Sequence, residues 1–156
     1  LPNQAAAGAI RVLATADNIA HFQQCSGLHV GLVEMLPSET AAGAIRNLTS
    51  LTSESSQNIE QFGEVPGIVD GLLAMLPSDA AAEAIRNLAV DSRIRDKFFQ
   101  DSGSDFVEKL IQMLPSEAAA GAIASLASAE LINCLAKLDS ANLFNVLIQM
   151  FPSEAA

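Results

Sequence analysis

Apolar residues recur along this chain at steps of three and four, separated by short polar or glycine-containing breaks. Ala41, Ala44, Ile45 and Leu48 form one such stripe, as expected of a helix with a single buried face. A second, shorter stripe pairs Ile19 with Phe22, Ile59 with Phe62, Ile94 with Phe98 and Ile132 with Leu135. A third runs through Ile68, Val69, Leu72, Leu73 and Leu76. Pro37 and Ser38 are expected to open the first helix, because proline tolerates the first turn and serine caps exposed amides. Pro66 suits the first turn of the third helix in the same way. Gly27, Gly63 and Gly103 fall where a glycine past a helix end belongs. The pattern predicts an all-α protein.

The stripes repeat. Pro2, Pro37, Pro77, Pro115 and Pro152 lie 35, 40, 38 and 37 residues apart, and each follows Leu or Phe. After each of the first four comes an alanine-rich stretch ending in Ile10, Ile45, Ile85 or Ile123, with Leu13, Leu48, Leu88 or Leu126 three residues later. The whole of 1–156 therefore reads as one array of three-helix units, approximately 1–35, 36–75, 76–113 and 114–150, with the start of a fifth at 151–156. Unit two takes eleven residues from Leu48 to Ile59 where the others take six, so its 49–56 stretch is expected to form a loop or helix extension. Unit four carries Ala141 where the others have glycine, so its last two helices are expected to join differently.

No unit of this size encloses a core alone, whereas stacked neighbours share one. Alanine suits that arrangement, being small and the least costly residue in a helix. Gly8, Gly43 and Gly121 lie inside first helices, where glycine costs about 1 kcal/mol against alanine, so a neighbouring backbone is expected to pass close by.

The strings Ala-Ile-Arg-Asn-Leu at 44–48 and 84–88 resemble the last helix of an armadillo repeat. The downstream residues fit as well: Asn18-Ile19, Asn58-Ile59 or Arg93-Ile94, then a phenylalanine, a glycine and an apolar helix ending in Met-Leu. The resemblance covers essentially all of the chain, strongest in units two and three, with each unit beginning at the family's third helix. HEAT repeats are the near neighbour. The resemblance implies a right-handed α-solenoid of about four armadillo-like repeats whose third helices line a concave groove.

It also implies a site. In this family the asparagine before the last leucine typically bonds the backbone of an extended partner peptide, a role that falls on Asn47 and Asn87. Val12 and Ser125 stand at the matching positions of units one and four. Arg11, Arg46 and Arg86 precede them, with Ala124 in unit four. Three arginines at one position either line the groove as a stripe suited to carboxylates or pair with acids of the adjacent unit. Nuclear-import adaptors of the family place an aromatic one turn before the asparagine; here those positions hold Gly8, Gly43, Glu83 and Gly121, which argues against that role. The 37–48 segment is also shorter than the family's third helix by about two turns of ~3.6 residues.

Composition narrows the function. The 156 residues are 50% hydrophobic, too apolar for a disordered chain, and 18 acids against 8 bases leave a net charge of −10. That acidity argues against nucleic acid, whose affinity rests on lysine and arginine. The longest apolar run, 65–76, is broken by Asp70 and too short to span a bilayer, so no membrane insertion is expected. No charged-then-apolar leader opens the chain, and Leu1 in place of methionine suggests a fragment or processed product. Cys25 and Cys134 form no disulfide framework, which points to a cytoplasmic location, with the nucleus as alternative.

Catalytic motifs are absent: no Gly-x-Ser-x-Gly, no phosphate-cradling glycine loop and no His-Glu-x-x-His. No enzyme activity and no cofactor are expected. His21, Cys25 and His29 are spaced by four, but Gly27 interrupts the helix that would align them and no fourth ligand follows. A surface histidine pair beside a core cysteine is expected instead of a metal. Arg93, Arg95 and Lys97 concentrate charge in one short helix, either a docking patch or a solvated face. The function expected is a protein-interaction scaffold holding a peptide or protein partner through Arg11, Arg46, Asn47, Arg86, Asn87 and Ser125. The alternative is a structural or assembly element, or a spacer within a longer solenoid or oligomer, that self-associates through exposed end repeats.

Overall fold

A computed structural model describes residues 3–15, 17–50, 52, 55–102 and 105–137. The described residues are helical, without a strand: α1 (Gln4–Leu13), α2 (Ile19–Phe22), α3 (Leu28–Glu34), α4 (Glu39–Leu48), α5 (Ser56–Gly63), α6 (Ile68–Ala74), α7 (Asp79–Leu88), α8 (Ser92–Ser102), α9 (Asp105–Gln112), α10 (Glu117–Ser125) and α11 (Ala129–Lys137). Three helices thus fall in each of the first three sequence units. The expectations attached to Gly103, Ala141 and the 151–156 segment lie outside the described residues.

The first helix of each unit starts at the same phase because the same kind of residue caps it. Asn3 Oδ1 accepts from the Ala5 amide at 2.8 Å, and the hydroxyls of Ser38, Ser78 and Ser116 accept from Ala41, Ala81 and Ala119 at 3.4, 3.2 and 3.4 Å. The prolines therefore sit one residue outside the cap and not in the first turn, joined to Leu36, Leu76 and Leu114 by cis peptide bonds. Pro66 is likewise displaced from the third helix, because Gly67 caps α6. Gly67 and Gly27 hold φ of +84° and +77°, a region open chiefly to glycine, at the start of α6 and α3. Gly63 instead closes α5 from inside, so the structural counterpart of Gly27 is Gly67. Helix α4 ends at Leu48 and α5 begins at Ser56, so the described residues between them, Thr49, Ser50, Thr52 and Ser55, lie outside any helix.

The apolar stripes meet along a line of equivalent helices: α1 packs on α4, α4 on α7 and α7 on α10. Helix α4, flanked on both sides, buries Ala41, Ala42, Gly43, Ala44, Ile45 and Leu48. Alanine on the facing surfaces permits this, because a longer side chain would hold the helices apart. The third helices of units one to three pack against the first helix of the following unit, α3 on α4, α6 on α7 and α9 on α10. Phe62 and Phe98 are fully buried below this line. In the fourth unit the inward residue of α11 is Leu131, while Ile132 is 67% exposed, so the expected Ile132–Leu135 stripe is shifted by one residue. Leu131, Cys134 and Leu135 share that face at steps of three and four.

Polar bonds repeat with the same step. Ser38 donates to Gln4 Oε1 at 3.1 Å, and Ser116 donates to Asp79 Oδ1 at 2.7 Å. Gln61 Nε2 donates to the Gln23 carbonyl at 3.2 Å, and Lys97 Nζ donates to the Gly63 carbonyl at 2.7 Å. Each pair joins matching positions of consecutive units.

Candidate functional site

Because α1, α4 and α7 are each ten residues long and begin at equivalent caps, their last turns fall in register. Arg11, Arg46 and Arg86 stand in those turns, where the helix dipole favours a cation. Between the last turns of α4 and α7 lies an open pocket of about 270 Å³ lined by Arg46, Asn47, Ser50, Glu83, Arg86 and Asn87. Four of the six residues expected at the site are thus brought together. Arg11 on α1 and Ser125 on α10 flank the pocket without lining it.

The asparagine amides reach back to the chain itself. Asn47 Nδ2 donates to the Arg11 carbonyl at 2.6 Å, and Asn87 Nδ2 donates to the Arg46 carbonyl at 3.1 Å. Both carbonyls belong to last turns, where a helix has no partner of its own to offer. Asn87 also meets Thr49 Oγ1 at 3.5 Å and is 8% exposed. Val12, at the matching position of α1, is 70% exposed.

The arginines reach forward. Arg46 Nη1 lies 3.0 Å from Glu83 Oε2 on α7, and its Nε donates to Asn47 Oδ1 at 3.0 Å. Arg11 and Arg86 cross the next helix at glycine: a Cβ at Gly43 would stand 2.7 Å from Arg11 Cδ, and one at Gly121 would stand 2.7 Å from Arg86 Cδ. What passes close to these glycines is an arginine stem and not the backbone expected from the sequence. Gly8 has only Thr40 Cγ2, at 3.8 Å. Among the described residues no acid pairs with Arg11 or Arg86.

Sequence reasoning left Ser50 and Glu83 out of the site. Glu83 carried a visible signal, as an acid in a row of glycines. Ser50 carried none, since it joins the pocket only through the turn that follows α4.

His29 is buried and Cys25 exposed, the reverse of the expected surface histidine and core cysteine. Asn58 Nδ2 donates to the Leu48 carbonyl at 3.2 Å, which turns its Oδ1 toward His29 Nε2 at 3.1 Å, so the histidine donates through Nε2. The ring also packs edge-on against Phe62 at 4.5 Å. Burial lowers the His29 pKa below its ordinary value, and the Asn58 hydrogen bond opposes that shift only in part. No group of three or more metal-ligating side chains occurs among the described residues. On α8, Arg93 pairs with Asp91 at 2.9 Å and Glu60 at 3.5 Å, while Lys97 is bound to the Gly63 carbonyl. Two of its three cations are therefore engaged within the fold. Among the described residues no helix is long and apolar enough to cross a membrane.

No protein-family model matches this chain, and no curated protein or solved structure is significantly similar to it.

Proposed function

We propose that the chain is a right-handed, armadillo-like α-solenoid of about four three-helix units that serves as a protein-interaction scaffold. An extended peptide or partner segment lies across the last turns of α1, α4, α7 and α10. The observation that carries this reading is the pocket in which Arg46, Asn47, Arg86 and Asn87 converge, with Arg11 in register one helix away. Binding surfaces of stacked repeats follow equivalent positions, and this one carries an arginine in three of the four units. Because each asparagine commits an amide hydrogen to one of the chain's own carbonyls, the partner is held mainly by Arg11, Arg86 and Ser50, with Ser125 at the far end. A cytoplasmic or nuclear setting belongs to the same proposal, supported by two free cysteines. Selection of binders from a random peptide library, followed by hydrogen exchange of the complex, tests it. Protection is expected at the last turns of α4 and α7; protection confined to other helices, or no binder, overturns it.

A second reading, an assembly element, has its own support. Leu48, Leu88 and Leu126 are fully buried, whereas the equivalent Leu13 is 55% exposed, with Val30 of the same unit at 47%. That leaves an apolar end able to meet another copy. Sedimentation at rising concentration is expected to show association that Leu13→Gln abolishes; a monomer throughout removes this reading.

A further inference from the structure

Charge along the row of first helices follows a pattern that the arginine positions alone do not reveal. Arg11, Arg46 and Arg86 each extend from their own helix onto the next, where they meet Gly43, Glu83 and Gly121. At the two glycines the stem rests on bare helix and the guanidinium keeps its charge unmatched among the described residues. At Glu83 the charge is cancelled by an ion pair of 3.0 Å, and Arg46 Nε is already bound to Asn47. The row therefore reads positive, neutral, positive.

Helices in contact lie about 8–10 Å apart, so the outer guanidinium groups stand on the order of 16–20 Å from each other. An extended segment advances about 3.3 Å per residue and covers that span in about five or six residues. We propose that this surface recognises an acidic extended segment with two carboxylates about five or six residues apart and an uncharged residue between them. Each carboxylate meets one unmatched guanidinium, a pairing that arginine geometry favours. Glu83 acts as a built-in competitor: it occupies Arg46 and repels a third, central carboxylate. The proposal rests on the reading of this row as a partner-binding surface, and adds to it the charge pattern of the partner.

Fluorescence anisotropy with labelled ten-residue peptides in a Ser/Thr background, at low salt, tests the pattern. One peptide carries two acids about six residues apart; a second carries them at half that spacing; a third adds a central acid to the first; a fourth has none. The widely spaced pair is expected to bind the unsubstituted chain most tightly, ahead of the three-acid peptide despite its larger charge. Glu83→Gly is expected to reverse that order and raise affinity for the three-acid peptide about five-fold, the size of one exposed ion pair. Glu83→Gln, which keeps helix propensity, gives the same reversal if the glycine variant loses its helical circular dichroism. If peptides bind with no dependence on acid spacing or on Glu83, the charge pattern is wrong while the binding surface stands. If none of the four binds, this inference fails, and the library selection then decides the binding surface separately.

Discussion

Asn87 reaches across one helix junction and donates its side-chain amide to the backbone carbonyl of Arg46, 3.1 Å away and 41 residues earlier in the chain. Asn47 makes the corresponding bond to Arg11 at 2.6 Å. The two bonds close the last turns of α1 and α4 with groups supplied by the next unit, so helix termination and stacking are one interaction. In the binding mode proposed above, a partner works around these asparagine bonds.

The two bonds differ in exposure, and their removal should differ in cost. Asn87→Ala is expected to destabilise the chain by about 1–2 kcal/mol, because it removes a largely buried side chain and its bond to the Arg46 carbonyl, which is left with only the Thr49 hydroxyl at 3.3 Å. Asn47→Ala, whose bond is solvent-exposed, should cost below about 1 kcal/mol. Urea unfolding of both variants checks the order; equal costs would show that burial of the Asn87 amide contributes nothing.

Glycines in helices separate by what faces them. Gly8→Ala meets nothing nearer than Thr40 Cγ2 at 3.8 Å, so it should stabilise by about 0.5–1 kcal/mol through backbone entropy alone. Gly63→Ala brings a Cβ to 2.5 Å from Ile94 Cδ1 in a buried contact and should destabilise by about 1–3 kcal/mol. Thermal unfolding distinguishes the two signs.

Stability should fall on mild acidification because of His29. Its folded pKa lies below the ordinary 6.5, burial being the main cause. Above that pH the ring is neutral whether folded or not. As pH falls through 6.5, the unfolded chain takes up a proton that the buried ring resists, and stability declines until the folded ring titrates as well. His29→Gln, which keeps a donor for Asn58, should remove this part of the decline. Urea midpoints between about pH 7 and 5 for the two proteins provide the comparison.

The Arg46–Glu83 pair should matter little to stability. Both side chains are 38% exposed, and exposed ion pairs contribute at most about 1 kcal/mol, less in salt. A double-mutant cycle with Arg46→Gln and Glu83→Gln is expected to return a coupling below that figure. A larger coupling that persists in high salt would assign the pair a structural role.

Some of the fold was readable before any coordinates. The proline at each unit's start, the alanine stretch and the closing leucine located α1, α4, α7 and α10, because amphipathicity acts within one or two turns. The burial of Ile19, Ile59 and Ile94 followed from the same local spacing. Ile132 broke the pattern, since Leu131 lies one residue earlier and takes the inward face of α11. His29 and Cys25 were read the wrong way round because burial depends on Asn58 and Phe62, contributed by α5 and not by the histidine's own helix.

The candidate site divides along the same line. Local sequence set where each helix starts and ends, and hence that the arginines and asparagines stand at matching positions. The partners of those side chains lie 36 and 41 residues away for the asparagine amides, and across a helix contact for Arg11, Arg46 and Arg86. Whether an amide faces solvent or a neighbour's carbonyl depends on how closely alanine-lined helices approach. Whether an arginine's charge is left unmatched depends on the glycine or glutamate beneath it. Periodicity within one helix cannot specify either relation, because both arise only when two helices meet.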